Sequence, residues 1–226
     1  MSEINWFKFE NKDLDFPIYN KNPYVPKWGW IVLFISLIIC YIFVGTESVI
    51  PAIVSMLIPL IPLLYFLKWD YHAIFQKPKA KDIALAIGLF IGYLIYAAVM
   101  AAILDQFGFS GVTTQDISST AAIIPALFFS LMGEEFIKLI PFLFLLTVFF
   151  KYSDNRKLSV IASMLVVMIM FAALHAEDLR TLVFAIFVQG FGSIFVFIGY
   201  FKTKNVFISY LTHLMTDIFI TLLHFI

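Results

Sequence analysis

An all-α, polytopic transmembrane helical bundle of about seven spans is what the 226-residue sequence predicts, on three observations. Hydrophobic residues make up 62% of the chain and charged residues only 13%, and the mean hydropathy of +0.96 is far from the usage of a water-soluble domain. Apolar stretches long enough to cross a hydrocarbon core of about 30 Å follow one another in succession. The alternating segments of about ten residues that build an outer-membrane barrel are not found.

Helices are expected at 29–45, 48–67, 82–104, 121–150, 158–176, 180–201 and 205–225. Residues 1–28 precede them as a surface arm, mixed in charge, with Trp6, Phe7, Phe9, Phe16 and Tyr19 ahead of Pro23 and Pro26. The arm has no apolar core of a cleavable signal peptide and is expected on the membrane surface, the alternative being a solvated tail. In the first helix Cys40 stands alone among apolar residues, so it makes no internal disulfide and is a poor nucleophile. Pro51, Pro59 and Pro62 should kink the second, while Gly88 and Gly92 should let neighbours approach the third. Residues 29–226 leave no room for a second globular domain, so any chemistry must sit inside one bundle. No internal repeat emerges, which argues against an inverted-repeat transporter. The bilayer is the expected surrounding, and no nucleic-acid partner is expected.

Orientation follows from the short loops. Lys8, Lys12, Lys21 and Lys27 precede the first helix; Lys68, Lys77, Lys79 and Lys81 follow the second; Lys151, Arg156 and Lys157 follow the fourth; Lys202 and Lys204 follow the sixth. The opposite side receives Glu47, Asp105, Asp116, Glu177, Asp178 and one cation, Arg180. The expectation is a multi-pass protein of a bacterial plasma membrane, N-terminus cytoplasmic and C-terminus outside.

Ionisable groups inside spans are expensive, about 2.5–3.5 kcal/mol each on insertion scales, and mark function by default. Here they are Glu134, Glu135 and Lys138 in the fourth helix, His175 at the end of the fifth, and His213, Asp217 and His224 in the seventh, with the polar Gln189 in the sixth. Glu134 and Lys138 share one helix face, as do His213 and Asp217, and Glu135 lies three residues from Lys138. Adjacent residues point about 100° apart, so Glu134 and Glu135 need different jobs. One job is pairing, with a carboxylate neutralising Lys138 as interhelical glue. Glue does not require further histidines and a carboxylate on two other helices. The sharper reading is hydrolysis, which takes a general base for water, donors for the developing oxyanion and an acid for the leaving amine, a set that a glutamate and two histidines supply. Other polar residues have plainer roles: Gln189 an interhelical hydrogen bond with room to line a cavity, His224 an interfacial side chain, His72 a surface one, Glu177 and Asp178 a solvated turn.

Three stretches resemble the motifs of the CAAX-protease and bacteriocin-processing superfamily of intramembrane glutamic proteases: EEFIK (Glu134–Lys138), FAALH (Phe171–His175) and HLMTD (His213–Asp217), in the family's order on separate helices. The resemblance covers about residues 120–220 and leaves the first three helices topology alone. It implies Glu134 as the base that activates water, Glu135 as its partner, and His175, His213 and Asp217 completing the catalytic set, with Lys138, Phe171 and Gln189 in support. The basic residue of the commonest first motif would fall at Leu139. Lys138, one residue early, is similar to the anti-sigma-factor protease branch, whose second motif commonly ends in glutamate rather than a histidine such as His175. Lipidated C-termini, pheromone or bacteriocin precursors and anti-sigma factors are all open as substrates.

No cofactor is expected. Zinc at Glu134, His175 and His213 is the weaker alternative, since the chain has no H-E-x-x-H. Behind an endopeptidase come, in order, a non-catalytic membrane partner such as a bacteriocin self-immunity protein and a proton-coupled transporter. One tension is built into the expected spans: His175 falls about 10 Å further towards the outer face than Glu134 and His213.

Overall fold

The computed structural model describes residues 10, 14–20, 23–111 and 123–223. Trp6, Phe7, Lys8, Phe9, Lys12, Lys21, Asp116 and His224 lie outside the described residues. The chain folds into α1 (Lys27–Phe43), α2 (Val49–Phe66), α3 (Ala80–Gln106), α4 (Ile123–Ser153), α5 (Arg156–Ala173), α6 (Leu179–Ala185), α7 (Ile194–Thr203) and α8 (Val206–Leu223). A π-turn, Ile186–Gly190, joins α6 to α7 within one long segment, Leu179–Thr203. Among the described residues six segments are long and apolar enough to cross a membrane, and α1, with 17 residues, rises about 26 Å, near the lower limit for a span. No strand occurs among the described residues, and the chain is an integral membrane protein of helical-bundle fold.

α4 is the central element, packed against α1, α2, α5 and α8. Its middle explains why: Glu135 to Leu143 is buried without interruption. Gly133, one residue before the glutamates, lets α1 and α2 close on it, since a Cβ there would lie 3.0 Å from Ser55 Oγ and 3.3 Å from Cys40 Sγ. Cys40 is a free, buried thiol packed under Gly133.

α4 and α5 form an antiparallel hairpin closed by Asp154 and Asn155 alone, the Asn155 side chain accepting from Leu158 N–H to cap α5. So short a turn fixes the register. Lys138 lies sixteen residues before Asp154 and Phe171 sixteen after Asn155; Glu134 lies twenty before and His175 twenty after. α5 stops at Ala173, short of the expected 176, and His175 follows its C-cap at the level of Glu134. The expected 10 Å offset came from centring each span separately in the bilayer.

Among the described residues of the arm, several turn inward. Phe16, Ile18 and Tyr19 are buried, with Phe16 edge-on to Phe142 at 5.3 Å and Phe201 at 5.4 Å between ring centroids. Glu10 accepts a two-pronged pair of hydrogen bonds from Arg156 at 2.5 and 2.6 Å, and a third from Lys204 Nζ at 2.9 Å. Arg156 also donates to Asp15 at 2.8 Å and to Tyr19 Oη at 3.1 Å. Burial pushes Lys204, in the turn before α8, down to about 8. The α7–α8 turn is laced to the segment after α2 by Asn205 Nδ2 donating to Gln76 O and Val206 N–H donating to Ile74 O. The loops carrying Lys68, Lys77, Arg156 and Lys204 thus belong to one end of the bundle.

Fork-shaped guanidinium–carboxylate pairs exceed ordinary surface pairs, although partial exposure keeps this one below a fully buried bridge. Arg156→Ala should cost about 1.5–3 kcal/mol and lower the melting temperature in detergent by several degrees. An unchanged melting temperature would mean that the arm's network adds nothing to the fold.

Candidate active site

Glu135 points away from Glu134, as the 100° step between neighbours requires. It pairs one turn along α4 with Lys138, both side chains almost fully buried, and it lies 2.9 Å from His213 Nδ1 on α8. Lys138 Nζ is also 3.3 Å from that nitrogen and stands 4.7 Å above the centre of the Phe171 ring. A carboxylate can only accept and an ammonium can only donate, so Nδ1–H of His213 and Nζ of Lys138 both donate to Glu135. In the neutral His213 ring Nε2 is then unprotonated. It lies 3.8 Å from Glu134 Oε2 and 3.7 Å from Asp217 Oδ1, too far for direct hydrogen bonds.

His175 is fixed the same way. Its Nδ1–H donates to the Phe171 carbonyl at 2.8 Å, again leaving Nε2 unprotonated in the neutral ring. Phe171 ties the three motifs together, its ring 4.5 Å from that of His175 and 6.3 Å from that of His213 while Lys138 sits over its face.

Glu134, Lys138, Phe171, His175, His213 and Asp217 line one cavity of about 300 Å³, joined by Gln189. Of the expected site residues, Glu135 alone faces elsewhere, into the contact with Lys138 behind the cavity. Gln189 was expected to make an interhelical hydrogen bond. Its buried Oε1 finds no partner among the described residues. Glu177, Asp178 and His72 are exposed, and Asp178 caps α6 through Thr181.

Tyr93 also lines the cavity, so α3 contributes more than topology. The sequence signal was faint: a phenol in an apolar span next to Gly92, with its partner glycine far along the chain at Gly192, where a Cβ would come within 2.6 Å of the Tyr93 ring. As for zinc, among the described residues no three His, Cys, Asp or Glu side chains gather closely enough to hold a metal ion.

Fold and site together define an integral membrane bundle with a cavity of about 300 Å³, lined by titratable side chains, between its helices. Comparison of the chain with models of known families, with curated proteins and with solved structures finds no match.

Proposed function

We propose that the protein is an intramembrane endopeptidase that hydrolyses membrane-associated peptides or proteins with water activated by Glu134. The observation that carries this is the division of labour between the paired glutamates: Glu135 is held through Oε1 by Lys138 and His213, while Glu134 faces the cavity with His175, His213 and Asp217.

Glu134 takes a proton from a water held between its carboxylate and His213 Nε2, and the water oxygen bonds to the scissile carbonyl carbon. His213 acts as an imidazolium, its Nδ1–H on Glu135 and its Nε2–H turned to the cavity; it donates a hydrogen bond through Nε2–H to the oxyanion that forms and keeps that proton throughout the cycle. Collapse of the tetrahedral adduct breaks the C–N bond, and the proton on Glu134 passes to the leaving amine. His175 and Asp217 orient the reacting groups, and Lys138 keeps Glu135 charged so that it can hold the His213 ring.

The basic loops gathered at one end favour that end as the cytoplasmic one. The residues lining the cavity lie in the other half, level with the end of α5 and the last turns of α8. Substrates would then enter as membrane-embedded or exported segments.

The test is quantitative mapping of new peptide ends in membrane and secreted fractions of cells expressing the wild type or Glu134→Gln at matched levels. Ends that vanish in the variant support the function and name the substrate. Identical end maps would favour a non-catalytic membrane partner.

A pairing role alone would make Glu135→Gln mild. Its hydrogen bond to His213 Nδ1 raises the stake, because an amide can present its N–H₂ and leave the ring in the other tautomer. Cleavage should fall by up to about 10⁴-fold, the scale seen when a carboxylate that orients a histidine becomes an amide. A loss under about threefold would leave Glu135 a pairing residue only.

A further inference from the structure

Gln189 differs from the other polar groups of the cavity. Its Oε1 is buried and meets no donor among the described residues, although the residue lines the same cavity as Glu134 and both histidines. An acceptor left unpaired inside an apolar bundle is destabilising, and a glutamine kept for packing between helices would be saturated.

The backbone there also leaves the regular course. Ile186–Gly190 runs as a π-turn, the kind of one-residue insertion that recurs at functional sites. It is gripped from both sides. Tyr96 Oη donates to the Phe187 carbonyl at 2.6 Å, and Gly190 lies so close to α5 that a Cβ would come within 2.9 Å of the Met168 carbonyl oxygen. Downstream, the Ser193 hydroxyl donates to the Gly190 carbonyl at 2.6 Å. A rigid, irregular backbone therefore presents a side-chain amide whose hydrogen bonding is incomplete. The last torsion of glutamine is broad and two-fold, so its carbonyl and amino ends exchange places at little cost.

We propose that Gln189 is a substrate-binding residue that accepts a main-chain N–H of an extended peptide next to the scissile bond; the inference rests on the endopeptidase function above. An extended strand offers N–H and C=O groups in alternation, and a carboxamide complements one of each. The ligand recognised is the peptide main chain, so this contact is blind to the side chains of the substrate.

The experiment uses the full chain, with Gln189→Leu, Glu134→Gln and wild type compared in three measurements. In detergent, Gln189→Leu should melt about 2–4 °C above wild type, because an unpaired acceptor has been replaced by an apolar group. A fall of several degrees would show a structural hydrogen bond and overturn the proposal, whatever happens to cleavage. In cells, the peptide ends that depend on Glu134 should drop at least about tenfold in Gln189→Leu. Ends that depend on Glu134 but not on Gln189 overturn this proposal alone, whereas the absence of any Glu134-dependent end overturns the enzyme and this proposal together. Finally, a synthetic peptide spanning the mapped cleavage site is compared with analogues carrying an ester in place of each flanking amide in turn. One ester should raise KM about tenfold for the wild type, with kcat little changed, and add no further loss in Gln189→Leu. Ester effects that add fully to the substitution at every position would overturn the N–H contact.

Discussion

In membranes carrying Glu134→Gln, cleavage is expected to fall by at least about 10³-fold, while the protein accumulates as the wild type does. Glutamine has the shape of glutamate and adds no bulk to the cavity, so folding should not be at stake. What it lacks is basicity: in the proposed mechanism a water between Oε2 and His213 Nε2 loses the group that takes its proton, and general-base catalysis of this kind contributes about 10²–10⁴-fold. In the proposed mechanism the same residue returns the proton to the leaving amine, so both halves of the reaction should suffer. His213→Ala should be comparably severe, since it removes the proposed oxyanion donor together with the ring that Glu135 and Lys138 hold in place. The measurement is the yield of the mapped peptide ends per unit of membrane protein. Near-wild-type yield from Glu134→Gln would remove the base from the mechanism and the mechanism with it.

Lys138→Met should be the most destabilising single change in the bundle. Lys138 is 3% exposed and neutralises a Glu135 side chain that is 4% exposed. Taking away one member of a buried pair leaves a charge without compensation, at a cost of about 3–5 kcal/mol, and the attraction to the Phe171 face is lost as well. Melting in detergent should drop on the order of ten degrees, with less protein reaching the membrane. The double variant Lys138→Met/Glu135→Gln separates charge from packing. Removing the stranded carboxylate should recover more than half of the loss, as expected for strongly coupled neighbours. A Lys138→Met protein that melts with the wild type would show that Glu135 is held as a neutral acid.

The division between Glu134 and Glu135 was legible from their adjacency, because an α-helix cannot aim consecutive side chains at one point. Helix number and class were legible from hydropathy, which in a membrane is a direct record of what each residue touches. The meeting of His175 with Glu134 was also within reach, through the two-residue Asp154–Asn155 turn and a count along each arm of the hairpin. Treating every span as independently centred hid it. The π-turn before Gly190 was not legible: one inserted residue leaves an all-apolar stretch just as apolar, and the 3.6-residue period carries no information where every face is oily. The burial of the arm was hidden for the opposite reason. Its mixture of aromatic and charged side chains is what an interfacial segment contains, and only the placement of Arg156 and Lys204, each more than a hundred residues away, turns Glu10 and Phe16 inward.

That separation has a consequence for how the molecule is made. Glu10 and Lys204 are 194 positions apart, so at 5–20 residues per second the arm emerges about 10–40 s before its lysine partner is synthesised. During that interval Phe16 has no ring of Phe201 to meet and Glu10 no cation from the α7–α8 turn. The arm cannot seat until the last hairpin has been inserted, which makes its docking a closing step of biogenesis. A fusion at the N-terminus that holds the arm back would act on the end of assembly, long after the segment it touches has left the ribosome.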